Sequence, residues 1–183
     1  MSDRDPVRLF LALWPESPVR ARLAAYRDAW RWPAGAKPVA DATLHLTLHF
    51  IGALPRARLP GLTAALGAVP VARMVLRPAD AEVWKGGIAV LPIAGDVALA
   101  GLHEHLGTVL ASAGIALDPR PFAAHVTLAR KAAQAEPPAP RAAFAWRANS
   151  FVLAESIPGG AARYEVLGRF GAARQARSDR ASG

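Results

Sequence analysis

The chain has 183 residues, 52% of them hydrophobic, with five histidines, no cysteine and a formal net charge of +8. That apolar fraction excludes a disordered chain, the absence of cysteine excludes a disulfide framework, and no uninterrupted apolar run reaches the ~18 residues of a membrane helix. A sequence pI of about 11.1 favours polyanionic partners such as RNA, although an Arg-, Ala- and Pro-rich composition raises the same number without any binding role.

The opening stretch, Met1 to Pro6, carries acids and leads straight into a strand, unlike a signal peptide, so a cytoplasmic location is expected. Arg8 to Trp14 alternates as a strand with Val7, Leu9, Leu11 and Leu13 on one face. Ser17 and Pro18 read as N-cap and first helical residue. The helix they start carries Val19, Leu23, Tyr26 and Trp30 on one side and runs to about Trp32. A turn over Pro38 to Ala42 enters the strand His45 to Gly52, which Gly52 closes.

A second helix fits Arg56 to Gly67, with Leu59, Leu62 and Leu66 inward. Strands follow at Arg73–Arg77, Ala81–Trp84 and Ile88–Pro92, the last two turning at Gly86 and Gly87. Asp96 caps a third helix that turns Val97, Leu102, Leu106, Val109 and Leu110 inward and breaks at Gly114. His103 and His105, two apart on that helix, face different ways and carry no assigned role. After the strand Ala123–Arg130, a proline-rich loop over Ala132 to Arg141 precedes three strands, Ala143–Arg147, Ser150–Glu155 and Arg163–Arg169. Gly159 and Gly160 turn the last pair, and residues 171–183 read as a disordered basic tail.

Two of these strands share a pattern: His45-Leu46-Thr47-Leu48 and His125-Val126-Thr127-Leu128. Side chains at i and i+2 share a strand face. His45, Thr47 and His49 therefore point one way, as do His125 and Thr127, with an apolar face behind each set. A single histidine in an apolar run is most simply a packed, hydrogen-bonded side chain. Two at the same place in the same pattern suggest an acid and a base in one cleft. Zinc fits poorly, because His45 and His49 stand about 13 Å apart along the strand and no cysteine or strand carboxylate is available.

The chain at these stretches resembles the two-histidine phosphoesterases, and within them the bacterial RNA 2′,3′-cyclic phosphodiesterases, also called 2′-5′ RNA ligase-like proteins. Arg8 to Pro15 is similar to that family's opening strand, Leu44 to Gly52 to its first motif, Pro121 to Arg130 to its second, and Leu153–Ser156 with Arg163–Leu167 to its closing hairpin. Ala124 stands where members commonly have Pro, and His49 where they often have Lys or Arg. The resemblance spans roughly residues 7 to 170 and implies an α+β fold. In it, a bilobal, pseudo-symmetric pair of mainly antiparallel sheets, helices outside, faces a central groove within one domain over residues 1–170.

It also implies metal-independent hydrolysis of RNA 2′,3′-cyclic phosphate ends to a 2′-phosphate, with no cofactor, and reversible 2′-5′ RNA ligation as a companion reaction. Histidine suits the proton transfers because both of its forms exist near neutrality. His45 is taken as acid on the departing oxygen and His125 as base on water, an assignment the residues leave open to reversal. Thr47 and Thr127 would donate to phosphate oxygens. Arg130 would reach the phosphate only if its strand ends or bulges before it. His49 has the parity to touch substrate, while Phe10 and Trp14 are either base-stacking or core rings. The partner is an RNA with a cyclic phosphate end or a small cyclic nucleotide, with no membrane and a monomeric chain. Two alternatives stay open: an RNA- or nucleotide-binding module without turnover, and a phosphodiesterase for small cyclic nucleotides or cyclic ADP-ribose phosphate.

Overall fold

The computed structural model describes residues 6–139, 141–159 and 163–171. Residues 172–183 of the expected tail, and Gly160 of the expected final turn, lie outside that range. β1 (Pro6–Leu13) buries Val7, Leu9, Leu11 and Leu13 as its alternation requires. Phe10 and Ala12 are buried too, because a second small apolar cluster with Val152 and Ala154 covers the other face of the strand.

α1 (Ser17–Asp28) has Glu16 as its extended N-cap residue, which shifts Ser17 and Pro18 one place further into the helix than expected. It stops four residues short of Trp32. Trp30 and Trp32 leave the helix to stack on each other, with centroids 4.9 Å apart. Its buried Arg27 reaches the Val39 carbonyl and pairs with Asp41 at 2.7 Å, tying the helix to the segment that leads into the first motif. That segment holds β2 (Lys37–Pro38) and a 3₁₀ turn (Asp41–Thr43).

β3 (Leu46–Pro55) does not end at Gly52. Gly52 sits inside it with a φ of 76° that other residues rarely adopt, next to an irregularity at Ile51. α2 (Leu59–Gly67), β4 (Met74–Leu76), β5 (Glu82–Trp84) and β6 (Ile88–Pro92) fall within their expected stretches. α3 (Val97–Ser112) is capped by Asp96, whose Oδ1 accepts from the Leu99 N–H at 2.9 Å. Leu99, Leu102, Leu106 and Leu110 face inward; Val97, expected among them, is 91% exposed in the first turn. β7 (His125–Arg130), β8 (Trp146–Ala148), β9 (Ser150–Ile157) and β10 (Arg163–Gly171) complete the chain. β8 is shorter than expected, and Gly171, assigned to the tail, ends β10.

The fold is α+β. One antiparallel sheet runs β10-β9-β1-β3-β7-β6-β5, with β2 alongside β7, and β4 and β8 form a separate pair. The main core joins buried leucines of α1, α2 and α3 to the inner residues of β1, β3, β7 and β9, so the three helices pack on one face of the sheet. The other face is left to the motifs. The two motif strands meet at the sheet's centre through one residue pair, which divides the eight strands into two halves of four, β10-β9-β1-β3 and β7-β6-β5 with β2. Among the described residues no helix is long and apolar enough to cross a membrane.

Candidate active site

β3 and β7 run antiparallel, and the pair that joins them is Leu46 opposite Val126. Each is the residue after a motif histidine. One step along the register in either direction sets His45 across from Thr127 and Thr47 across from His125, all on one face. The ladder is only one pair long, so the strands part around the four polar groups. Leu46, Leu48, Val126 and Leu128 close the other face, fully or nearly buried, while the histidines and threonines are half-buried.

Both imidazoles are anchored in the same way. The Nδ1–H of His45 donates to the Thr43 carbonyl and that of His125 to the Ala123 carbonyl, each at 2.6 Å and each two residues upstream. This bond selects the Nδ1–H tautomer and leaves Nε2 as the working nitrogen of a neutral ring. In His45 that nitrogen accepts from the Thr47 hydroxyl at 3.1 Å. Burial, the largest influence, lowers the His45 pKa; the carbonyl bond opposes it, and the positive charges of His125 and Arg130 lower it further. His125 is also lowered, first by burial and then by Arg130, against its own carbonyl bond.

The surroundings of the two rings differ. Trp14 stacks on His45 at 5.3 Å with planes 5° apart, Phe10 lies 5.0 Å away, and Tyr164 meets the ring edge-on at 5.3 Å and 88°. Small residues beneath, Ala12 and Ala154, make room for these rings to converge across three strands. His125 has one aromatic neighbour, Trp84 at 4.4 Å, whose indole N–H is held by Glu82 at 2.7 Å. Phe10 is 4% exposed and serves as the wall behind His45, too buried to take a base. Trp14 remains half-buried.

A bulge at the same place in each motif strand decides the remaining residues. Leu48 is an extra residue against β1, and Leu128 an extra residue against β6. Each inserts one position and reverses the alternation beyond it. Arg130 is thereby returned to the face of His125 and Thr127, where its charge reaches both imidazoles. His49 goes the other way, correcting the shared face expected for it. It is 8% exposed, its Nε2–H donates to the His103 carbonyl at 2.8 Å, and its ring stacks on His103 at 4.0 Å. His103 in turn stacks on Phe122 at 4.0 Å, and burial pushes its pKa down to about 4. With His45 and His49 on opposite faces, no single ion reaches both.

The same bulge turns Phe50 to the open face. Phe50 lies opposite Phe10 and is 61% exposed. Tyr164, which lies in the closing hairpin of the resemblance with no chemical role to mark it, and Trp84 join the site as well. Nothing local marks them, since each comes from a strand distant in sequence. The arrangement sets two imidazoles, each with Nε2 clear of its carbonyl anchor, with two hydroxyls and a guanidinium on one face, suited to moving protons on either side of an anion.

Residues 13–85 match the family described as LigT-like phosphoesterase. The chain is 30% identical over 173 residues to the RNA 2′,3′-cyclic phosphodiesterase of Escherichia coli (strain K12), covering 91% of this chain and 97% of that protein. The crystal structure of E. coli LigT in apo form superposes with a TM-score of 0.80 at 28% identity, covering 92% of this chain and 99% of that one. E. coli LigT complexed with 3′-AMP superposes equally well, with a TM-score of 0.80 at 27% identity and the same coverage.

Proposed function

Because the chain belongs to the LigT-like phosphoesterase family, we propose that it hydrolyses RNA 2′,3′-cyclic phosphate ends to 2′-phosphates with His45 and His125 as the acid–base pair. The observation that carries this is the matched anchoring of the two rings, Nδ1–H to a carbonyl two residues upstream in each, which turns both Nε2 atoms to a common face with Thr47 and Thr127. His125 Nε2 takes a proton from water as its oxygen attacks phosphorus. The bond from phosphorus to the ribose 3′ oxygen breaks, and that oxygen takes the proton held on His45 Nε2. The phosphate stays on the 2′ oxygen. A 5′-hydroxyl in place of water would form a 2′-5′ linkage by the same steps.

The division of labour follows from the walls. In-line displacement puts water and leaving oxygen on opposite sides of phosphorus. The leaving oxygen belongs to the nucleoside, and the ring-lined side is that of His45, with Trp14, Tyr164 and the exposed Phe50. The Thr47 hydroxyl leaves His45 Nε2 once that nitrogen is protonated, and with Thr127 donates to non-bridging oxygens. Arg130 offsets the phosphate's charge. That anion also reverses the electrostatic penalty on His45, favouring its protonated form when substrate is bound. No metal or nucleotide cofactor enters these steps. The chain through β10 acts as one domain and a monomer in the cytoplasm, where a cysteine-free protein needs no oxidising compartment.

The test is incubation of purified protein, in excess chelator, with a short RNA ending in a 2′,3′-cyclic phosphate and with the corresponding cyclic mononucleotides. A 2′-phosphate product is expected. His45→Ala and His125→Ala each lower turnover by about 10²–10⁴-fold. Binding without opening of the ring would leave a binding module, and rescue by zinc after loss in chelator would overturn the two-histidine chemistry.

A further inference from the structure

Beyond the four polar groups, the edge of β7 that meets β3 is taken over by β2, with Lys37 opposite Arg130 and Pro38 opposite Ala129. Directly opposed residues of an antiparallel pair project to the same face. Lys37 therefore stands beside Arg130 on the face of the two histidines. Both side chains are exposed. Like charges opposed in this way repel, and sheets ordinarily avoid them. Among the described residues neither has a salt bridge or a side-chain hydrogen bond, although Arg27, Arg31, Arg56, Arg120 and Arg141 each have a carboxylate. Glu82, in register with Val90 and Thr127 on this face, accepts from the Trp84 indole N–H.

The backbone under the pair is firmly held. The Val39 N–H donates to the Leu128 carbonyl at 2.8 Å, and the Ala132 N–H to the Gly87 carbonyl at 2.8 Å. Between them Lys131 takes a φ of 55°, the one positive φ outside glycine among the described residues. Strained backbone of this kind persists where the surroundings enforce it. Arg27, paired with Asp41 and bound to the Val39 carbonyl, fixes β2 from the α1 side.

We propose that Lys37, opposed to Arg130, forms a second anion subsite beside the histidines and takes the phosphodiester next to the terminal nucleotide, so that an RNA chain is preferred to a cyclic mononucleotide. This rests on the hydrolytic reading above and adds to it the residue that tells a polymer from a mononucleotide. Arg130, nearer the imidazoles, meets the cyclic phosphate. A mononucleotide offers Lys37 no second phosphodiester.

The experiment compares wild type, Lys37→Gln and Lys37→Arg on a 2′,3′-cyclic mononucleotide and on a trinucleotide with the same end. Lys37→Gln lowers the ratio of the two kcat/KM values, RNA over mononucleotide, by about five- to tenfold through KM, and Lys37→Arg restores it. The salt slope of log kcat/KM for RNA falls by roughly 0.7, the value for one lost single-strand phosphate contact. An unchanged ratio, whether both substrates suffer alike or neither does, overturns the subsite. Binding of a 5′-labelled trinucleotide 2′-phosphate, followed by fluorescence anisotropy, is read in parallel. If wild type opens neither substrate, the hydrolytic reading fails. The subsite is then judged by whether Lys37→Gln weakens that RNA about fivefold relative to a nucleoside 2′-monophosphate.

Discussion

His45 and His125 carry the same anchor and feel the same cation, Arg130, so their titrations move together. Burial and positive neighbours hold both below the ordinary 6.5. For a reaction needing one neutral and one protonated ring, log kcat/KM against pH is a bell, and its limbs report the free protein's coupled pair. Both limbs are expected below 6.5. Arg130→Gln removes a charge that opposes protonation of each ring, which raises both pKa values and moves the whole bell to higher pH while KM rises. A bell that stays in place in this variant would show that the Arg130 charge does not reach the imidazoles. The kcat profile carries the opposite influence of the bound phosphate, so its alkaline limb lies above that of kcat/KM.

The bulges at Leu48 and Leu128 show how one inserted residue reassigns a face. Each sends the next side chain, His49 or Ala129, to the helices and the one after, Phe50 or Arg130, to the open side. The far end of β7 is then set by the β5–β6 turn. Gly86 and Gly87 both have positive φ, so alanine at either costs about 1–2 kcal/mol in backbone strain. A Cβ on Gly86 meets open space, whereas on Gly87 it would lie 2.9 Å from the Ala133 nitrogen and 3.1 Å from the Ala132 nitrogen. Denaturant titration should show Gly86→Ala losing about 1–2 kcal/mol and Gly87→Ala more. Equal losses would mean that the turn does not bear on the segment after Lys131.

At the scale of the molecule, three helices on one face leave the other free for the polar groups, and a single residue pair joins the two halves of the sheet. β1 is an enclosed strand, flanked by β3 and β9 and covered on both faces. β5 lies at one edge of the same sheet. Protection against hydrogen exchange follows enclosure. The amides of Leu9 to Ala12 should exchange slowest and those of Glu82 to Trp84 among the fastest of the sheet. The reverse order, followed by mass spectrometry, would place the stable unit in the half built on β7.

Much of the fold and part of the site are legible in the sequence because they depend on local patterns. The alternation of β1, the Asp96 cap, the glycine turn before β6 and the paired His-x-Thr strands are written in neighbouring residues. Period-two and period-3.6 burial depends on which elements exist, not on how they are assembled. The sides taken by His49, Phe50 and Arg130 are different. Each is set by a bulge, and a bulge is a mismatch between two strands that neither strand records alone. The rings of Tyr164 and Trp84 reach the histidines from strands at opposite ends of the sheet order, and Lys37 meets Arg130 through a two-residue ladder. Such contacts follow from register between distant segments, which packing of the whole chain decides.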